Sequence, residues 1–317
     1  MFLAIEEAIG DLFQLKLLNT ETGEYACILP DFGGNVNQLV LANSDKKLIS
    51  VLDGYLTAAD ALQNAGYKSS KLLPFPNRLR DGKYTFKRST HQLEITRPQE
   101  GHAIHGLWHS AKYEVLKFKS AEQKATIHLL YTYKSEAAGY PFRCEILLKY
   151  KLSHKGFQCT TEVKNTGKTA LPFGDGWHPY FRLNTQSIDT LQLTMPPVRY
   201  MPLDARKIPT GNTVSYLDFF QPATIAATQL DHGFEVLQTT GKAITTLSDT
   251  ATNTHLELWQ QCDPESYNYL QIYTPTDRKT IAIEPMTCAA DAFNNGLGLW
   301  TIAPKATKKA KYGLRMK

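Results

Sequence analysis

An all-β protein, a large antiparallel sandwich with few short helices, is the fold class this sequence predicts. Three observations carry that prediction. Apolar and polar residues alternate with period two in run after run, the mark of strands with one buried face. Turn-forming residues separate those runs, and no helical stretches alternate with them as they would in a βαβ chain. No Pro/Gly/Ser-rich linker, internal repeat or low-complexity segment divides the 317 residues. Residues 1–317 therefore read as a single domain, a size that all-β sandwiches reach.

Along the chain, residues 1–15 and 56–66 are the only stretches with room for helices. Strands are expected at "KYTF" (83–86), "QLEI" (92–95) and "TIHLLYTY" (126–133). The clearest pattern is "YPFRCEILLKYKL", where Phe142, Cys144, Ile146, Leu148, Tyr150 and Leu152 share one face. "SHKG" then turns the chain into "FQCTTEV", with Phe157, Cys159, Thr161 and Val163 on one side. "NTG" at 165–167 closes that strand with residues that tolerate positive φ. "HLELWQ" (255–260), "NYLQIYT" (268–274) and "TIAIE" (280–284) follow. In the basic tail, Ala310, Tyr312, Leu314 and Met316 alternate with Lys309, Lys311, Gly313 and Arg315. That pattern predicts a final, edge-like strand whose solvated lysines discourage further pairing.

Composition narrows the function classes. With 42% hydrophobic and 21% charged residues, the chain has the make-up of a water-soluble globular protein. No run approaches the roughly 20 apolar residues needed to span a bilayer. "MFLAIEEAIGDLFQL" lacks the basic start and small-residue cleavage site of a signal peptide. Five scattered cysteines without a C-x-x-C fit a reducing compartment and argue against a disulfide framework or zinc ribbon. A cytoplasmic protein is expected. The net charge of +5 is concentrated in the tail strand, so nucleic acid is not an expected partner, and neither is a membrane.

Four runs carry candidate chemistry. In "PFPNRLRDG" (74–82), prolines hold the chain extended and "DG" turns it. Arg78 offers a planar fork to hydroxyl or carboxylate oxygens, and Arg80 nearby would help hold a phosphate; the plain alternative is a loop with solvated arginines. "GHAIHGLWHS" (101–110) spaces His102, His105 and His109 as a metal-binding helix would, but Gly101 and Gly106 interrupt any helix. His105 is the member expected to face a shaped site. His178 in "FGDGWHPYF" (173–181) reads either as a packed core residue or as a proton donor. Pro179 restrains its backbone and prepares it for directed transfer. Glu284 in "TIAIEPMTCAADAFN" (280–294) ends an apolar run, also before a proline, where a carboxylate needs a partner or a task. Cys288, with no local base, reads as core. No nucleophile elbow, G-x-G-x-x-G or P-loop is present.

Together and in this order the runs resemble the aldose 1-epimerase (galactose mutarotase) family. The matching pieces are "NR" (77–78), "AIHG" (103–106), "GWHPYF" (176–181), "LDHGF" (230–234), "LQIYT" (270–274) and "IAIEPMTCAADAFN" (281–294). The resemblance implies a galactose mutarotase-like supersandwich with a cleft on a concave sheet. It implies Glu284 as general base on the anomeric hydroxyl and His178 as general acid on the ring oxygen. His105, Arg78, Asp231 and Gln271 would hold the sugar, with Asn77 beside Arg78, and no cofactor or metal is implied. A nearby carboxylate would keep His178 charged, and Trp177 and Tyr180 are either an apolar sugar-facing wall or core. The galactose-acting members usually carry asparagine where Trp177 stands, which opens the choice of sugar. A hexose-6-phosphate 1-epimerase using Arg78 and Arg80 is one alternative reading. A non-catalytic sugar-binding protein on this fold is another, and a metal set of His105, His178 and Glu284 is a third.

Overall fold

A computed structural model describes all of residues 1–317, and strands fill most of it. Every strand pairing is antiparallel, and three sheets hold most of the chain. The first is a five-stranded meander running from Phe2–Ile9 to Leu48–Ser50. The second has nine strands and is centred on Cys144–Ser153, Gly156–Asn165 and Thr307–Met316. The third has six and is built on Asp231–Val236, Tyr269–Tyr273 and Ile281–Met286. One contiguous apolar core of 64 buried residues runs from Phe2 to Leu314, so the sheets share a single interior.

Several sequence expectations are met closely. Lys83–Phe86 is a strand, and the hairpin predicted across "SHKG" pairs Cys144 with Asn165 and Ser153 with Gly156. Its predicted face is the buried one: Cys144, Ile146, Leu148 and Tyr150 are fully buried. Residues 56–66 do hold a short helix, Ala58–Gln63, capped by the Thr57 side chain, which accepts from the Asp60 N–H.

Four expectations are corrected. Residues 1–15 are not helical; they form the hairpin of Phe2–Ile9 with Leu12–Asn19, turned at Gly10, which has φ of 58°. Sheet pairing overrides the local helix propensity of "AIEEA", because Phe2, Leu15 and Leu17 bury on one strand face. "QLEI" is not a strand, since pairing stops at Gln92, where its amide side chain donates to the carbonyls of Asp81 and Leu93. The run at 280–284 does not end at Glu284 but continues through Pro285 to Met286. The lysine-rich tail is not an edge. It pairs with Gly156–Asn165 on one side and Thr254–Gln261 on the other, placing it inside the nine-stranded sheet. Its alternation correctly marks the buried face, but the edge of a sheet is set by neighbours, which period two does not report.

Candidate active site

The six-stranded sheet positions three of the candidate residues by register alone. Gln271 lies directly opposite Glu284, and Gly233 lies opposite Gln271 on its other side. Asp231 is two residues from Gly233, so its side chain occupies the diagonal position on the same face. Gly233 has no side chain to fill the space between them, and a Cβ there would stand 3.2 Å from Gln271 Oε1. Gln271 Nε2 crosses that gap and donates to Asp231 Oδ1 at 3.0 Å.

His178 arrives from a different segment, gripped on both sides by backbone. Its N–H donates to the Ser70 carbonyl (3.1 Å), and its own carbonyl accepts from Ser69 N–H (2.8 Å). One residue earlier, Trp177 N–H donates to the Pro285 carbonyl (3.2 Å), tying this strand to the one that carries Glu284. Successive side chains point to opposite faces. His178 faces the cavity, and Trp177 faces the core, fully buried, stacked on Tyr312 at 4.8 Å between ring centroids. The Trp177 indole N–H donates to the Ser69 carbonyl. Trp177 is therefore core rather than a sugar-facing wall, whereas Tyr180 does line the cavity.

Asn77 and His105 face each other across a small reciprocal clasp. Both have left-handed backbone, φ of 57° and 61°. His105 N–H donates to the Asn77 carbonyl (2.9 Å), and Asn77 N–H donates to His105 Nδ1 (3.3 Å). With Nδ1 accepting, the neutral imidazole carries its proton on Nε2. Gly106, which follows His105, has φ of 79°; a Cβ there would stand 2.1 Å from the Leu73 carbonyl oxygen, so only glycine closes the turn. Left-handed backbone at a histidine is the kind of conformation that surrounding structure must hold in place.

All seven candidate residues, His178, Glu284, His105, Arg78, Asn77, Asp231 and Gln271, line one cavity of about 180 Å³. His178 Nε2 and Glu284 Oε1 are 3.3 Å apart, and His178 Nδ1 and Glu284 Oε2 have no hydrogen-bond partner. Burial dominates the proton equilibrium of both. It pulls the His178 imidazole down to about 4, and it pushes the Glu284 carboxyl well above the ordinary range, aided by Asp231 and opposed by Arg78. Burial therefore opposes the charged imidazolium that a nearby carboxylate is expected to favour. Both shifts favour the uncharged forms, an imidazole beside a carboxylic acid. Burial also holds the His105 imidazole well below its ordinary value.

Two residues that sequence reasoning missed, Glu100 and Lys207, complete a closed ring of polar contacts. Glu100 accepts from Arg78 Nε (2.6 Å) and Nη2 (3.2 Å), while Arg78 Nη1 donates to Asn77 Oδ1 (3.2 Å). Asn77 Nδ2 donates to Gln271 Oε1 (3.2 Å), and Gln271 reaches Asp231 as described. Lys207 closes the circuit, 3.2 Å from Asp231 Oδ2 and 3.9 Å from Glu100 Oε1. The loop bearing Lys207 is pinned by His102, whose Nδ1 accepts from Asp81 N–H and whose Nε2 donates to the Arg206 carbonyl. Ion pairs Arg80–Asp204 (2.5 Å) and Arg206–Asp81 (2.6 Å) add to that grip. Arg80 therefore braces a loop and does not line the cavity. The histidines of 101–110 do not converge: His102 holds the loop, His105 enters the cavity, and His109 packs edge-on against Tyr67. No local signal marks Glu100 or Lys207, because each gains its role from a partner far along the chain.

The match to known proteins extends across most of the molecule. The family model described as "Aldose 1-epimerase" matches residues 16–315. The uncharacterized protein YihR of Escherichia coli (strain K12) is 31% identical over 237 residues, 72% of each chain. A galactose mutarotase-like protein from Clostridium acetobutylicum superposes with a TM-score of 0.88 at 23% identity, covering 100% of this chain and 98% of its own. A galactose 1-epimerase from Lactobacillus acidophilus NCFM does so with a TM-score of 0.78 at 16% identity, covering 100% and 98%. The two structural likenesses establish a galactose mutarotase-like fold. No helix is long and apolar enough to cross a membrane.

Proposed function

The chain belongs to the aldose 1-epimerase family, and from that premise we propose that it interconverts the α and β anomers of a free aldohexose by acid–base ring opening and closure. The observation that carries this reading is the contact between His178 Nε2 and Glu284 Oε1 at 3.3 Å, at the wall of a cavity lined by a polar ring. The anomeric hydroxyl oxygen and the ring oxygen are bonded to one carbon. Groups serving both must stand side by side, as these two do.

In the proposed cycle, proton transfer across the pair gives a Glu284 carboxylate and a His178 imidazolium without help from bulk water. Glu284 removes the anomeric hydroxyl proton as His178 protonates the ring oxygen. The C1–ring oxygen bond breaks to give the open-chain aldehyde. Rotation about C1–C2 presents the other carbonyl face, and the roles reverse on closure. His105, with its proton on Nε2, is a donor to a sugar oxygen, and Arg78, Asn77, Gln271 and Asp231 hold the hydroxyls. This chemistry calls on no metal or organic cofactor.

The test is the optical-rotation decay of freshly dissolved α-glucose or α-galactose. The purified protein should accelerate it, and Glu284→Gln or His178→Asn should each lower kcat by about 10²–10⁴-fold while leaving the circular dichroism unchanged. Full activity in both variants would refute the assigned roles. A binding-only protein would retain affinity for sugar with no acceleration in the wild type.

A further inference from the structure

Three cavity-lining residues precede a proline: His178, Glu284 and Arg97. The first two are the proposed acid and base; the third has no role in the chemistry above. We propose that Arg97 is the docking point for an anionic substituent on the sugar, a phosphate ester or carboxylate, which makes the preferred substrate an anionic aldose. This rests on the acid–base epimerase reading and changes its preferred substrate from a neutral aldohexose to an anionic one.

The first argument is a balance of charge. The ring contains two cations, Arg78 and Lys207, and two carboxylates, Glu100 and Asp231, each engaged with its neighbours. His178 Nε2 and Glu284 Oε1 face each other at 3.3 Å. Arg97 is the only remaining charged side chain lining the cavity, and it makes no ion pair or side-chain hydrogen bond. A guanidinium left free beside carboxylates that are all engaged elsewhere suits an oxyanion brought in by a ligand.

The second is the contrast between anchored backbone and free side chain. Arg97 N–H donates to the His102 carbonyl at 2.9 Å. Its own carbonyl accepts from Glu100 N–H (3.1 Å) and Gly101 N–H (2.9 Å). Next to it, Thr96 Oγ1 accepts from Ile104 N–H (2.9 Å). Pro98 further restricts the backbone of Arg97. The residue is thus built into the base of the turn that carries Glu100, with its side chain exposed. It lines the cavity together with Tyr67, Glu100, His105 and Tyr180. By contrast, Arg78 and Arg80, the arginines that sequence reasoning offered to a phosphate, are taken by Glu100 and Asp204.

The experiment measures kcat/KM by anomeric exchange NMR for glucose, glucose 6-phosphate and glucuronate, at low and high ionic strength. At least one charged sugar should exceed glucose by about tenfold or more, an advantage that shrinks as salt screens it. Arg97→Gln should erase that ratio, and Arg97→Lys should restore most of it. Equal rates on charged and neutral sugars, or a ratio that Arg97→Gln leaves unchanged, overturn the Arg97 subsite while leaving the epimerase reading standing. No acceleration of any of the three sugars overturns the epimerase reading, and the subsite with it.

Discussion

Two ion-pair networks lie close together in this molecule, on opposite sides of the strand segment that carries His178. Beneath it, Lys71 Nζ meets Asp175 Oδ1 at 2.6 Å, with both side chains essentially inaccessible. Tyr267 donates to Asp175 from its hydroxyl, and Lys71 lies 5.2 Å from the centre of the Tyr312 ring. Above it, the ring from Glu100 through Arg78, Asn77, Gln271 and Asp231 to Lys207 uses the same chemical groups, but Lys207 is about half exposed. The difference is water. The dry pair cross-links two backbone segments, since Lys71 belongs to the stretch whose neighbours bond His178, and Asp175 N–H donates to Thr287 Oγ1 beyond Glu284. The ring cross-links side chains that line the cavity and are proposed to hold the sugar. One network fixes the backbone that carries the proposed acid and base, and the other lines the cavity they face.

The largest effect should come from opening the dry pair. Asp175→Asn leaves the Lys71 ammonium buried without a counter-charge, a situation that costs about 3–5 kcal/mol. Urea unfolding should show that loss, and the double variant Lys71→Met/Asp175→Asn should recover a substantial part of it, because the stranded charge is gone. A loss below about 1 kcal/mol for Asp175→Asn would put the pair on the footing of a surface contact and dissolve the distinction.

The proposed catalytic pair lies between the two networks, and pH sharpens its position. In the folded chain burial raises the Glu284 carboxyl well above its ordinary 4.5. Above pH 4.5 the unfolded chain loses that proton while the folded chain keeps it, so the folded state binds more protons and stability falls as pH rises. Glu284→Gln removes this liability. Relative to wild type, the variant should gain nothing below about pH 4.5 and become progressively more stable toward neutral pH, by about 1.4 kcal/mol per unit of raised pKa. The His178 effect runs the other way: held at about 4, it lowers stability as pH falls from 6.5, and it is common to both proteins. Urea unfolding at pH 4, 5.5 and 7 supplies the difference curve. A flat curve would mean that Glu284 is ionised and fully compensated, as in the ring.

Legibility in the sequence followed the range of the interaction. Period-two runs revealed strands such as Cys144–Ser153 because each face is decided within the strand itself. Proline marked His178 and Glu284 for the same local reason. The tail at Thr307–Met316 was misplaced at an edge because both of its partners lie far away in sequence. Trp177 looked like part of the site because it adjoins His178, yet adjacent strand residues face opposite ways. The dry pair and the ring closure through Glu100 and Lys207 were hidden, since each is a meeting of charges from separate segments. Period and spacing do not encode the partner of a charge.

The smallest effect on stability, and the one that separates the networks most directly, should come from Glu100→Gln. Glu100 is the member that grips Arg78 with two hydrogen bonds and stands 3.9 Å from Lys207, but its side chain is 24% exposed. Water can replace part of what it supplies, so unfolding should change by no more than about 1 kcal/mol. Its catalytic consequence should be uneven. Arg78 and Lys207 lose the shared counter-charge that fixes them, and the sugar then meets side chains that must be ordered on binding. KM should rise about tenfold with kcat changed by less than about threefold, because neither His178 nor Glu284 is touched. If Glu100→Gln instead destabilises the fold as strongly as Asp175→Asn, the ring is scaffold rather than binding surface. If kcat falls and KM holds, Glu100 acts on His178 and Glu284 themselves, and the boundary between positioning and recognition moves outward to Glu100.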